Sequence, residues 1–383
     1  MIPRIPEKGL LQALQGKHKV LCLLGPRQVG KTTLMRRVAG RVQGRQLFLN
    51  GDFDDDRRLL RPERSSLAPL LEKQDYLFVD EAQNIDGVGR ILKIVHDEFP
   101  AVRVMATGSS SFDLREQTGE PLTGRQITQV LYPISYSELD PGPAERRTCM
   151  QEAMIYGAYP ELITTQSLSD KQAYLRQLVA DYLLRDIYAQ VEVNQSKLTD
   201  MLRLLAFQIG SEVSLSEIGR QVGIDTKTVD RYIDLLERAF VVIRLGGFSR
   251  NLRKEVSKSQ KFYFMDLGIR NAILQAFQPI ASRADVGQLW ENYLVVERIK
   301  RNAYLGLHPN YYFWRTYDRQ EIDFIEEGAE SLAAYEFKSK EEGGKRRIPA
   351  LWRKTYPDSH AEIIHPGTAH PFLEVEAGSE SGS

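Results

Sequence analysis

Gly25-Pro26-Arg27-Gln28-Val29-Gly30-Lys31-Thr32-Thr33 decides how the first part of this chain folds. The stretch fits G-x-x-x-x-G-K-[ST], in which glycines let backbone N–H groups wrap phosphates, the lysine reaches the β and γ oxygens, and a hydroxyl holds magnesium. Ahead of it, Lys19-Val-Leu-Cys-Leu-Leu24 is a short apolar run suited to a buried parallel strand. Behind it, Thr33-Leu-Met-Arg-Arg-Val-Ala39 suits a helix. Strand, glycine loop and helix N-terminus together make an anion site. A glycine turn with a surface lysine is the competing account, and the flanks disfavour it.

A chain of 383 residues is too long for one core of ordinary size, so two to four domains are expected. Lys and Arg number 51 and so do Asp and Glu, so the charge balance neither argues for nor excludes nucleic acid, and any basic surface must be local. Cys22 and Cys149 support neither a disulfide framework nor a metal knuckle. No apolar run approaches the ~20 residues of a membrane span, and the N-terminus with Arg4 and Glu7 is not a secretory signal. A cytoplasmic location is expected.

Downstream of the loop, Arg45-Gln-Leu-Phe-Leu-Asn50 reads as a second strand, followed by the acidic Gly51-Asp-Phe-Asp-Asp-Asp56. Asn50 or Asp52 could face a γ-phosphate, although a strand-end turn is the commoner use of such residues. Asp75-Tyr-Leu-Phe-Val-Asp80-Glu81-Ala-Gln83 is an apolar strand ending in adjacent carboxylates. In a P-loop protein Asp80 would hold the metal through water and Glu81 would orient the attacking water. Ala101-Val-Arg-Val-Met-Ala-Thr107-Gly108-Ser109-Ser110-Ser111 is a further buried strand ending in small polar residues, whose serines could also cap a following helix.

With Leu122-Thr-Gly124-Arg125 and Pro133-Ile-Ser-Tyr-Ser-Glu138-Leu139, these motifs in this order resemble a large prokaryotic family of AAA-type ATPases, the archaeal-ATPase group, over essentially the whole chain. The resemblance implies that a strand inserted between the first and the magnesium-side strands ends in a polar sensor of the γ-phosphate or the water, here Thr107 or Ser109. It also implies that Arg125 is a γ-phosphate sensor or arginine finger, acting within the subunit or, in an oligomer, on a neighbour; a salt bridge at a domain joint is the other account of that arginine.

Pro141-Gly-Pro143 marks a boundary, and from Cys149 to about Phe207 the pattern is helical, broken at Gly157-Ala-Tyr-Pro160. Tyr182-Leu-Leu-Arg185-Asp186-Ile187 resembles the family's lid region, with core packing a sufficient account of it. From Ser214 to Glu237 the sequence reads helix, turn at Gly223, cap at Asp225 or Thr226, helix, and Arg238 to Leu245 resembles a wing strand. Lys227 and Arg231 are candidates to face DNA, yet Asp225, Asp230 and Asp234 flank them. Arg250 to Lys261 carries five basic residues and one acid, a phosphate-tracking strip or, more plainly, a solvated hairpin.

In the last third, Glu291 lies in a helical pattern, Asp323 in the strand Glu321-Ile-Asp-Phe-Ile325, and Glu336-Phe337-Lys338 ends another strand. E-x-K alone is a chance-level tripeptide in a chain this long. Helix acid, strand acid and E-x-K in that order resemble the PD-(D/E)XK nuclease core, whose carboxylates bind magnesium while lysine positions water. Glu297 could replace Glu291 as the helix acid, and surface carboxylates on an α/β domain are the plain alternative.

The sequence therefore predicts an α/β protein: a P-loop AAA-type parallel-sheet domain over 1–140, a helical lid over 141–207, a winged helix-turn-helix over 208–249, a restriction-endonuclease-like α/β domain over 250–376 and a disordered tail over 377–383. Its cofactors would be ATP and Mg2+. Gly25 to Thr33 and Lys31 would hold the phosphates, Thr32 and Asp80 the metal, and Glu81 the water. Nucleotide turnover would drive a nuclease-like or DNA-binding C-terminal domain. Alternatively, the chain is an ATP-driven switch or assembly protein whose C-terminal domain binds a protein partner without cutting nucleic acid. No membrane partner is expected.

Overall fold

A computed structural model of the protein describes residues 2–16, 18–109, 122–183, 194–250, 259–341 and 347–375. Ser110, Ser111, the Arg185-Asp186-Ile187 segment, residues 251–258 of the basic stretch and the 377–383 tail lie outside the described residues. The chain divides into two units, Met1–Ile134 and Ser135–Ser383.

In Met1–Ile134 the strands β1 (Val20–Leu24), β2 (Gln46–Asn50), β3 (Tyr76–Asp80), β4 (Arg103–Gly108) and β5 (Gln126–Val130) align as β2-β3-β4-β1-β5, every pair parallel. β4 thus lies between β1 and β3. The central strands are apolar throughout because helices cover both faces, as parallel sheets require. On one face Leu21, Leu23, Phe78 and Met105 pack with Leu10 and Leu14 of the helix Pro6–Gln15 and with Leu34 and Val38 of the helix Lys31–Ala39. On the other, Cys22, Leu77, Val79 and Val104 meet Ile91, Leu92 and Val95 of the helix Val88–Glu98. Cys22 is a free thiol that burial pushes up to about 12, so its role is packing. Asn50 and Asp52 close a strand-end turn: the Asn50 side chain accepts from the Asp52 N–H at 2.9 Å, and Asn84 donates to the Asp52 carboxylate at 2.7 Å.

Ser135–Ser383 is built on a mixed sheet of seven strands: β6 (Glu212–Val213), β7 (Val242–Gly247), β8 (Gln260–Phe264), β9 (Asn310–Arg315), β10 (Glu321–Glu327), β11 (Leu332–Phe337) and β12 (His360–Ile364). Their order is β12-β11-β10-β9-β7-β8-β6, with β11–β12 and β7–β9 parallel and the other pairs antiparallel. Position 250 falls between β7 and β8, which pair with one another, so the wing-like strands and the C-terminal strands share one sheet. The helix break expected near Gly157 is present, the helix Arg146–Tyr156 ending there at a φ of 75°. Helices Leu215–Val222 and Thr226–Arg238 flank the left-handed Gly223, and the Asp225 carboxylate caps the second by accepting from the Thr228 N–H at 3.0 Å. The main core of this unit joins these helices to β7, β8, β10 and β11, while Phe248, Trp314, Ile322, Trp352 and Tyr356 form a second, aromatic cluster. No helix among the described residues is long and apolar enough to cross a membrane.

A buried carboxylate locks the helical part to this sheet. Asp266 accepts from the Ala158 N–H at 2.7 Å and caps the helix Leu267–Leu274 through the Ile269 N–H at 3.2 Å. Burial pushes its carboxyl above the ordinary value. Glycine at 157 is obligatory, since a Cβ there would stand 1.9 Å from Asp266 Oδ1. Gly157→Ala is therefore expected to destabilise the protein by about 3 kcal/mol, the upper range for overpacking, read as a lowered urea midpoint. An unchanged midpoint would contradict this packing.

Candidate functional sites in the two units

The parallel sheet of the first unit brings the carboxyl ends of β1, β3 and β4 side by side, with Leu24 opposite Gly108 and Val79 opposite Ala106. In open α/β sheets this edge carries the ligand crevice. The 25–33 loop leaves β1 there. Gly25 has a φ of 154°, and a Cβ on it would stand 2.2 Å from the Leu131 carbonyl oxygen; Gly30 is left-handed at 97°. Lys31 is buried, its ammonium donating to the carbonyls of Gly25 at 3.0 Å and Pro26 at 2.9 Å.

Thr32, Asp80 and Thr107 meet beside the loop. The Thr32 hydroxyl donates to Asp80 Oδ2 at 2.8 Å, the Thr107 hydroxyl donates to Asp80 Oδ1, and the Glu81 N–H donates to Thr107 Oγ1 at 3.2 Å. Between the two sensor candidates, it is Thr107 that touches the acid; Ser109 instead donates its N–H to Gln83 Oε1 at 3.2 Å. Glu81 adopts left-handed backbone with a φ of 46°, uncommon for a residue with a Cβ, and its carboxylate accepts from Gln83 Nε2 at 2.5 Å. Magnesium fits this donor set: an alcohol and a carboxylate, both hard oxygen ligands, converge on one point beside a phosphate-wrapping loop.

Arg125 is not part of this cluster within its own chain. It precedes β5, its carbonyl accepting from the Val20 N–H at 2.8 Å, so it stands at the amino ends of the strands. A five-residue strand spans about 16 Å, which separates it from the loop at the other edge. Its guanidinium donates to Asp97 Oδ1 at 2.8 Å, and this bond, with that of His96, holds the Asp97 carboxyl below its ordinary value. Sensing of the γ-phosphate by Arg125 within one subunit does not fit that placement.

Two residues of this site are silent in sequence. Arg4 is buried and donates to the carbonyls of Val29, in the loop, at 2.9 Å and Tyr132 at 2.6 Å, bracing the loop from behind. Gln83 links Glu81 to the end of β4. Arg4 lies outside any motif, and Gln83 ends the Asp75-to-Gln83 stretch without its spacing announcing a role.

In the second unit, β10 and β11 run antiparallel with Phe324 opposite Tyr335, which sets Asp323 opposite Glu336. The β9–β10 register shifts between Ile322 and Ile325, a bulge that re-aims side chains at Asp323. Asp323 Oδ2 accepts from the Phe337 N–H at 2.8 Å, and burial pushes its carboxyl up. Lys338 donates to Glu336 Oε1 at 2.5 Å. Glu291, on the helix Val286–Tyr304, accepts from Lys261 at 3.1 Å and from the Tyr263 hydroxyl at 2.7 Å. Glu297 points elsewhere on that helix, accepting from the Tyr136 N–H and from Lys300, each at 2.7 Å.

Lys261 alters the reading of this cluster. Expected on a solvated hairpin, it is 1% exposed on β8 among Phe262, Tyr263 and Phe264, and its ammonium also pairs with Glu321 at 2.6 Å. Burial alone would lower its pKa, but Glu291, Asp323 and Glu321 hold the ammonium well above the ordinary value. A divalent ion does not fit among these groups as they stand, because the Glu291 and Glu321 carboxylates already share the buried Lys261 ammonium. The signal was available in sequence, as a charge directly ahead of the strand aromatics Phe262-Tyr263-Phe264.

On the helix Thr226–Arg238, Arg244 of β7 gathers the flanking acids, donating to Asp230 at 2.7 Å, to Asp234, and to Glu237 at 2.5 Å. Lys227 and Arg231 remain exposed, the latter over the Tyr232 ring at 5.6 Å.

Comparison with known proteins divides along similar lines. An AAA domain family matches residues 17–140, and two domains of unknown function, DUF8612 and DUF4143, match residues 147–279 and 286–374. The uncharacterized protein Rv2008c of Mycobacterium tuberculosis is 30% identical over 333 residues, covering 85% of this chain and 72% of that protein. An uncharacterized protein of Haemophilus influenzae is 23% identical over 356 residues, covering 85% of this chain and 84% of that protein. Among solved structures, a Walker-type ATPase of Pyrococcus abyssi aligns with a TM-score of 0.47 at 14% identity, over 72% of this chain and 96% of that one.

The Lys261 arrangement is testable by a double-mutant cycle. Lys261→Met strands buried carboxylates without their cation and is expected to cost about 3 kcal/mol in urea unfolding. Glu291→Gln in the same chain should recover part of that loss, a coupling of about 1 kcal/mol or more. Additive effects would contradict a direct pair.

Proposed function

This chain belongs to the same family as the mycobacterial protein Rv2008c, and on that footing we propose that it is a magnesium-dependent ATPase whose turnover is coupled to a nuclease-like C-terminal domain that binds nucleic acid without cutting it. The observation that carries the first part is the meeting of Thr32, Asp80 and Thr107 at the end of the 25–33 loop.

Loop amides from Gly25 to Thr33 and the Lys31 ammonium bind the phosphates. Lys31, which now caps two loop carbonyls, exchanges them for β and γ oxygens. Thr32 and Asp80 would hold magnesium, which when bound neutralises charge on the phosphate oxygens. Glu81 orients the attacking water and accepts its proton as the bond to the γ-phosphorus forms and that to the ADP oxygen breaks. Gln83 holds the Glu81 carboxylate until then, and Thr107 fixes the Asp80 carboxylate in plane with Thr32.

For the C-terminal domain, the order helix acid, strand acid and E-x-K supports a nuclease-like fold, and the buried Lys261 ammonium favours binding over metal-assisted cutting. The alternative of a protein partner draws on the helix Thr226–Arg238, whose acids Asp230, Asp234 and Glu237 are unsuited to a phosphate backbone.

Glu81→Gln should bind ATP within a few-fold of the parent while its kcat falls by about a hundredfold or more, measured as phosphate release; unchanged turnover would refute the role given to Glu81. With plasmid DNA and Mg2+ or Mn2+, the parent chain should retard the DNA in a gel without nicking it. Nicking that Asp323→Ala and Lys338→Ala both abolish would overturn the non-cutting reading, and no retardation would favour the protein-partner alternative.

A further inference from the structure

A cavity of about 460 Å³ opens in the second unit beside the acid cluster. Trp290 precedes Glu291, and Ser339 and Lys340 follow Lys338, so its wall is continuous in sequence with that cluster. The lining includes Arg147, Arg283, Lys340, Trp290, Met150 and Met154, and holds no Asp or Glu among the described residues.

The three cations differ in availability. Arg283 is buried and committed, donating to both oxygens of Asp285 at 2.8 Å and to the Asn271 side chain at 3.2 Å. Asp285 is in turn shared with Arg270 at 2.7 Å. Arg147 and Lys340 are exposed and make no hydrogen bond or ion pair among the described residues. Trp290 is 3% exposed, and its buried indole N–H finds no acceptor among the described residues. A buried donor left in that state is costly unless something else satisfies it.

Two exposed cations, an unsatisfied indole donor and methionines in the lining suit a ligand with an anionic end and a flat, hydrogen-bonding apolar end. The volume suits one such unit, within the usual range for small-molecule sites. The described lining offers a divalent cation two exposed cationic side chains and no carboxylate, and a purely apolar ligand would bury unpaired guanidinium and ammonium groups. We infer that this cavity binds a phosphorylated nucleoside, as a free nucleotide or as the terminal nucleotide of a strand, with Arg147 and Lys340 on the phosphate and Trp290 against the base. The inference rests on the nucleic-acid reading for its context and names the unit bound.

The test uses the full chain carrying Lys31→Ala, so that the first site contributes little, titrated calorimetrically with thymidine 5′-monophosphate, inorganic phosphate and a 5′-phosphorylated oligothymidylate. The expected result is one saturable site per chain for the mononucleotide, weakened about tenfold or more by Arg147→Glu with Lys340→Glu. Both positions are exposed, and ATP turnover in the chain with Lys31 intact should stay within twofold in that double variant. Trp290→Phe, which keeps an aromatic face of smaller area and removes the donor, should weaken the mononucleotide more than inorganic phosphate. Binding of the mononucleotide alone would identify the free nucleotide as the source, and binding of the oligonucleotide with the same sensitivity would identify a strand end. Absence of saturable binding by either, binding indifferent to the double variant, or inorganic phosphate binding as tightly as the mononucleotide would overturn the inference. If duplex DNA is still retarded in a gel in any of those cases, the nucleic-acid reading survives without this cavity; if it is not, both fail.

Discussion

The Asp80 carboxylate is the interaction on which the first unit's chemistry depends. One oxygen takes the Thr32 hydroxyl, at the start of the helix that follows the loop, and the other takes the Thr107 hydroxyl at the end of β4. Three chain segments far apart in sequence are thereby held by one group at the carboxyl edge of the sheet. The geometry is possible only because β4 is inserted between β1 and β3, so that Thr107 arrives next to Asp80 in register. A buried carboxylate must be satisfied by donors, and here both are hydroxyls at the carboxyl edge of the sheet. Whatever displaces the Thr32 hydroxyl from Asp80 is therefore felt at Thr107, and through the Thr107–Glu81 contact at the residue proposed to orient water.

The second unit solves a similar problem differently. Its acids are buried around Lys261, a fixed internal cation, rather than left open for an ion from solution. A buried lysine among carboxylates needs near-ideal partners to offset desolvation, and the distances to Glu291 and Glu321 supply them. The cavity whose lining includes Trp290 and Lys340 differs from this cluster in carrying Arg147, Arg283 and Lys340 and, among the described residues, no acid.

Legibility in sequence followed locality. The 25–33 loop, Asp80 and Glu81 could be placed because strand, loop and spacing are local patterns with a fixed physical meaning, and the parallel sheet followed from apolar runs separated by helices. Thr107 and Ser109 could not be told apart until the register of β4 against β3 was known. The readings of Arg125 stay open in sequence because nothing in its neighbourhood says which end of β5 faces the loop. Glu291 and Glu297 share a helix, and only the helix's packing decides that the first meets Lys261 while the second anchors the Tyr136 N–H. Lys261 itself was read with the basic residues before it, although the aromatic run after it places it in the core.

The account stands most directly on magnesium-dependent phosphate release from ATP, measured for the full chain and for Asp80→Asn with and without chelator. Release that requires magnesium and is lost in Asp80→Asn is the predicted result. Release that persists in chelator, or that Asp80→Asn leaves at the parental rate, would contradict it.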